Sequence, residues 1–104
     1  MPVIYEVNLA VDREIAVGYR SWLATHVQEM LALPGFTGAR IMEAVQDQAD
    51  AAETVFCTHY ELIDQAALDE YLRLHSARMR AEGVSRFGDR FRSTRRVLRD
   101  LQRY

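Results

Sequence analysis

Two histidines, His26 and His75, fall on helix faces that should otherwise be apolar. An imidazole titrates near neutral pH and can serve as a general base or a metal ligand. Pressed against a core it must also find a hydrogen-bond partner, because an unpaired buried polar group costs roughly 1–3 kcal/mol. Each histidine therefore either has a structural partner or lines a cavity. A large aromatic stands four residues before each, Trp22 before His26 and Tyr71 before His75, one turn away on the same face. Such rings would wall a small-molecule site with apolar surface around a few polar groups. Tyr60, from a neighbouring strand, could add a phenol. The candidate ligand-binding set is thus Trp22, His26, Tyr60, Tyr71 and His75, with both histidines bordering one cavity. The plainer alternative makes all five packing residues.

Other chemistry finds less support. His26, His59 and His75 show no metal-ligand spacing, so no metal is expected. Ser21, Ser76 and Ser85 stand in no nucleophile motif, and no glycine-rich phosphate loop exists. The single cysteine, Cys57, has no partner for an internal disulfide; it reads as a small core hydrophobe in a reducing, cytoplasmic setting.

The elements that must position these residues follow from the apolar period. Val3, Tyr5, Val7, Leu9 and Val11 alternate against Ile4, Glu6 and Asn8, a strand over 3–11 with one buried face. From Asp12 to Leu33 the period lengthens: Ile15, Tyr19, Trp22, Leu23, Val27, Met30 and Leu31 form one helical stripe. Asp12 is its expected N-cap, and Pro34-Gly35 stops it. Phe36 to Val45 is a second strand, 46–53 a hairpin loop, and Thr54 to Leu62 a third strand whose facing is ambiguous. Asp64 caps a second helix, striped by Leu68, Tyr71, Leu72 and Met79 and ended by Gly83. A last strand runs over about 89–98. Strand, helix, strand, strand, helix, strand predicts an α+β, ferredoxin-like βαββαβ domain over 1–104. Right-handed crossovers put both helices on one face of a four-stranded antiparallel sheet.

Composition agrees with an ordinary globular chain, 49% hydrophobic and 27% charged. No basic n-region with an apolar h-region opens it, and no apolar run approaches the ~20 residues of a membrane span. Net charge is −2 but uneven: nine of the 13 arginines follow Ala77, whereas most acids precede it, and there is no lysine. The basic end is expected to neutralise the acidic body rather than to bind nucleic acid, which calls for a basic domain. Tyr5, Phe56 and Tyr60 on central strands resemble the aromatic platform of an RNA-recognition domain. Its Lys/Arg-Gly-Phe/Tyr signature is nevertheless missing from TVFCTHYE.

Several stretches carry more than pattern. SWLATHVQEMLALPGFTGAR includes the His26 helix running into Gly35-Phe36 and then Ala39-Arg40. YLRLHSARMRAEGVSRFGDRF includes Tyr71 to His75, Met79-Arg80-Ala81-Glu82 and Arg86-Phe87-Gly88-Asp89-Arg90. Together they resemble an uncharacterised bacterial family, a domain of unknown function in the dimeric α/β-barrel superfamily. The resemblance covers nearly the whole chain. It implies a homodimer with sheets pressed together and an enclosed space between layers, and it implies no reaction. The wider superfamily includes cofactor-free monooxygenases, haem-degrading monooxygenases, and dehalogenating or lactone-forming enzymes. The haem pattern asks for an Asn on the first strand, an aromatic on the second helix and a histidine almost three turns later. Asn8 and Tyr71 fit the first two places, but Arg80, Ala81 and Glu82 occupy the third, so no cofactor is expected. Three readings result: a homodimer with a pocket for a small aromatic or apolar molecule, a cofactor-free monooxygenase-like enzyme with a histidine base, and a ligand-free interaction module.

Overall fold

The computed structural model describes residues 1–46 and 51–104. Four strands, β1 (Val3–Asp12), β2 (Phe36–Glu43), β3 (Glu53–Leu62) and β4 (Phe91–Leu98), form one antiparallel sheet in the order β2-β3-β1-β4. A 3-10 turn at Arg13–Ile15 leads into α1 (Ala16–Leu31); α2 (Gln65–Leu74) and α3 (Ser76–Phe87) follow β3. This is the ferredoxin-like arrangement, with the second helical segment in two pieces. Of the expected hairpin loop over 46–53, residues 47–50 lie outside the described residues. Among the described residues no helix is long and apolar enough to cross a membrane.

The period-two pattern of β1 becomes one buried face: Val3, Tyr5, Val7, Leu9 and Val11 are each at most 8% exposed. Register settles the facing of β3, since Phe56, Thr58 and Tyr60 stand opposite Leu9, Val7 and Tyr5 and are buried with them. Onto this face pack Tyr19, Leu23, Val27 and Met30 of α1, Leu68 and Tyr71 of α2, and Met79 of α3. Burying such side chains contributes roughly 1.5–3 kcal/mol each. The opposite face carries Ile4, Glu6, Asn8, Cys57 and His59.

Local signals were met unevenly. Asp64 caps α2, its carboxylate accepting from the Ala67 amide at 2.8 Å. Asp12 caps nothing. Its carboxylate takes Arg90 Nε at 2.6 Å and an Arg92 nitrogen at 2.8 Å, and such charge-assisted bonds outcompete a backbone amide. Gly83 does not end a helix either; α3 runs on to Phe87, and Gly88 stops it at φ +59°. The expected continuous second helix breaks at His75 (φ −125°, ψ −24°). The ladder survives the break, from His75 N to Tyr71 O at 2.9 Å and from Met79 N to His75 O at 3.0 Å. The buried Ser76 hydroxyl donates to Leu72 O at 2.7 Å. Leu72, expected in the buried stripe, is 38% exposed; α2 buries only Leu68 and Tyr71.

Candidate functional site

The long apolar face of α1 does not seal fully against the sheet. Tyr19, Trp22, Leu23, His26 and Met30 of α1 border a cavity of about 50 Å³, closed by Tyr5, Val7 and Leu9 of β1 and Tyr60 of β3. The rest of the wall comes from Tyr71 of α2, Met79, Arg80 and Gly83 of α3, and Phe91 and Arg95 of β4. Aromatic rings gather in two groups. Tyr5, Tyr60, Tyr71 and Phe36 lie with centroids 5.2–6.2 Å apart. Tyr19 meets Trp22, Phe87 and Phe91 at 4.9–5.5 Å. Gly83 makes room for this packing: a Cβ there would stand 3.1 Å from the Trp22 ring and 3.3 Å from Phe91.

His26 stacks on Trp22, with ring centroids 4.7 Å apart and planes 21° apart. Its side chain is 12% exposed, and Nδ1 lies 3.5 Å from the Glu82 carboxylate of α3. That is too long for a good hydrogen bond, and the buried Nδ1 has no other partner among the described residues. Burial lowers the imidazole's pKa from its ordinary 6.5, while Glu82 and Glu29 act in the opposite direction. His26 is therefore neutral at pH 7. The phenols are shifted the other way by the same cause: burial pushes Tyr71 up to about 12 and raises Tyr19 and Tyr60 too. They stay protonated at neutral pH. The Tyr5 hydroxyl accepts a hydrogen bond from Arg80 at 3.1 Å. The wall is thus apolar and aromatic, with a neutral imidazole, protonated phenols and two guanidiniums as its polar groups.

Trp22, His26, Tyr60 and Tyr71 come together as expected; His75 does not. Its ring sits at the α2–α3 junction, outside the cavity wall, with Nδ1 3.3 Å from the Arg78 guanidinium. The expectation that both histidines border one cavity is corrected on that ground. The His75 ring keeps near Tyr71, with centroids 6.5 Å apart and planes 29° apart, so it packs against a lining residue without lining the cavity itself. Sequence reasoning missed Tyr5, Tyr19, Arg80 and Arg95. In sequence Tyr5 belongs to the buried face of a strand and Tyr19 to a helical stripe, and the arginines show only as charge. Arg95 did leave a signal: it shares the parity of Phe91 and Ser93 and so points a charge at the inner face of β4.

Chain spacing was also a poor guide to ligand sets. Among the described residues, His26, Glu29 and Glu82 bring one imidazole nitrogen and two carboxylates within 4.8 Å, and Glu6, Cys57 and His59 bring a carboxylate, a thiol and an imidazole equally close on the outer sheet face. Glu6 is already engaged: it accepts from Asn8 at 3.0 Å, pairs with His59 Nε2 at 2.8 Å, and binds Arg96. A guanidinium there stands where a cation would have to bind.

A four-stranded antiparallel ferredoxin-like sheet, with an aromatic cavity between it and the helices on one face, defines the class. The particular family is shown by a family model matching residues 2–101: the chain belongs to the domain of unknown function DUF4286. No curated protein matches. Among solved structures the chain is similar to SnoaB, a cofactor-independent oxygenase from Streptomyces nogalater, with TM-score 0.69, 14% identity, and 99% of this chain and 97% of that one covered. It is likewise similar to an EthD family protein from Bacillus halodurans, at TM-score 0.72, 12% identity, and coverage of 97% and 100%. The de novo designed protein Foldit4 matches at TM-score 0.61 and 10% identity, covering 96% and 99%. A designed protein among the matches makes the limit plain: at such identities the likeness shows the fold and leaves activity to the site.

Proposed function

We propose that the protein is a homodimer that binds a small aromatic molecule between helices and sheet. The observation that carries this reading is the unsealed space under Trp22 and His26, walled by rings and supplied with polar groups that have few partners of their own. A mostly apolar concave wall with a few convergent polar groups is the usual makeup of a small-molecule site. At about 50 Å³ the space is a third of the ~150 Å³ apolar cavity that takes up benzene, so binding must move side chains at its mouth. The unpaired Cys57 suits a reducing cytoplasm. Trp22 is the chain's single tryptophan and lies in the wall, so its indole N–H signal in ¹H–¹⁵N spectra reports on the cavity directly. Screening small aromatic compounds should shift that signal saturably. A collection that leaves it unmoved at millimolar concentration would favour the ligand-free interaction module.

One observation favours a second reading. SnoaB is a cofactor-independent oxygenase, and this chain keeps in its cavity a neutral imidazole able to accept a proton. On this reading His26 takes one proton of a bound quinol, the quinolate passes two electrons to O₂, and quinone and hydrogen peroxide leave, the peroxide carrying both quinol protons. Oxygen uptake that needs both a quinol and an intact His26 would support catalysis; binding of the same compound without uptake leaves the protein a binder.

A further inference from the structure

Three arginines of the C-terminal segment end on carboxylates. Arg90 reaches Asp12 and Glu14, Arg92 reaches Asp12 and Glu53, and Arg96 reaches Glu6. Arg80 and Arg95 behave differently. Among the described residues neither forms an ion pair; Arg80 donates to the Tyr5 hydroxyl at 3.1 Å and Arg95 to the Ser93 hydroxyl at 3.0 Å. Both line the cavity, Arg80 from α3 and Arg95 from the inner face of β4. Among the described lining residues these two alone are exposed, so they mark the mouth. Among the described residues no acid lines the wall itself, the Glu82 carboxylate lying 3.5 Å from His26 Nδ1, and the positive charge of Arg95 is felt by Tyr19, Tyr60 and Tyr71, opposing the upward push of burial on all three. An apolar depression with two guanidiniums at its rim lacks an anion.

We propose that the cavity selects an aromatic monocarboxylate. The ring lies among Trp22 and the tyrosines, and the carboxylate sits at the mouth between Arg80 and Arg95. Planar guanidinium forks match a carboxylate in geometry and bind it through charge-assisted hydrogen bonds. A single negative charge on a flat apolar body fits a wall with cationic groups at one end only. The long arginine side chains supply the movement that the small resting volume requires, swinging out to admit the ring and closing onto the carboxylate.

This inference rests on the small-molecule reading above, and the test separates the two. The full-length protein is titrated by calorimetry with 2-naphthoate and with its uncharged isostere 2-naphthamide, and the Trp22 indole signal confirms the location. The carboxylate should bind at least tenfold more tightly. Arg80→Gln combined with Arg95→Gln, both on exposed side chains, should erase that preference while the melting temperature holds. Equal affinity for acid and amide overturns the anion inference and leaves the cavity reading standing. Binding of neither compound overturns both. A preference that survives in the double variant places the anion elsewhere and overturns the assignment to these arginines.

Discussion

The carboxylate of Glu6 is held down at about 2, first by the Arg96 hydrogen bond and then by His59 and Asn8. A folded-state value below the ordinary 4.5 means that the unfolded chain takes up the proton first as pH falls. The stabilisation is therefore complete above about pH 4.5 and is lost between there and pH 2. Arg96 is largely in water, its side chain 67% exposed, so the contribution is modest. Glu6→Gln should cost about 1 kcal/mol at neutral pH, and urea melts should show the deficit shrinking as pH falls towards 3. His26 is depressed by burial instead, so its contribution is present above pH 6.5 and declines below it as the unfolded chain charges its imidazole. Nuclear magnetic resonance should find His26 titrating below 6.5, and Glu82→Gln should lower it further because the carboxylate favours the charged ring. The two helix histidines should also separate by substitution. His26→Gln should shift the Trp22 indole signal, whereas His75→Gln should leave it in place.

At the scale of elements, much of the fold was legible because one buried face imposes one period. The alternation of β1 and the stripe of α1 each follow from a single apolar surface, and Asp64 is a cap whose partner is three residues away. What could not be read depends on partners far along the chain. Nothing near Asp12 announces that Arg90 and Arg92 will claim its carboxylate. Neither proline nor glycine marks the break at His75, and Leu68, Tyr71 and Met79 keep a helical spacing across it. Gly35 shows the opposite case, where a local turn residue has a tertiary reason as well. It holds φ +87° between α1 and β2, its carbonyl accepts from the Ile63 amide at 3.0 Å, and a Cβ there would lie 2.5 Å from that of Ala67. Gly35→Ala thus meets a conformational penalty and a clash with α2 together. Chemical denaturation should register a loss of about 2–4 kcal/mol, well beyond an ordinary surface substitution.

For the whole molecule, the cavity was only half visible in sequence. Rings and a histidine on buried stripes suggest a wall, but the arginines that finish it come from α3 and β4, and only the folded topology aligns them. The other half of the molecule is the outer sheet face, where Ile4, Val55, Met42 and Leu98 surround the buried Glu6 and the partly buried Cys57. If two copies meet there, the sheets lie about 10 Å apart and bury an isologous interface on the order of 1,200–2,000 Å². Light scattering at micromolar concentration should then return twice the mass of one chain. Cys57 tells which face is used, because it is the chain's only cysteine and shares the outer face with Glu6. Burial and the neighbouring Glu6 already raise its thiol pKa, so alkylation by iodoacetamide should be slow even in the monomer. It should slow further, in step with the mass, as protein concentration rises through the dimer dissociation constant. A mass that doubles while the alkylation rate stays constant would put the contact on the helices. A mass that never doubles would leave this face open to water.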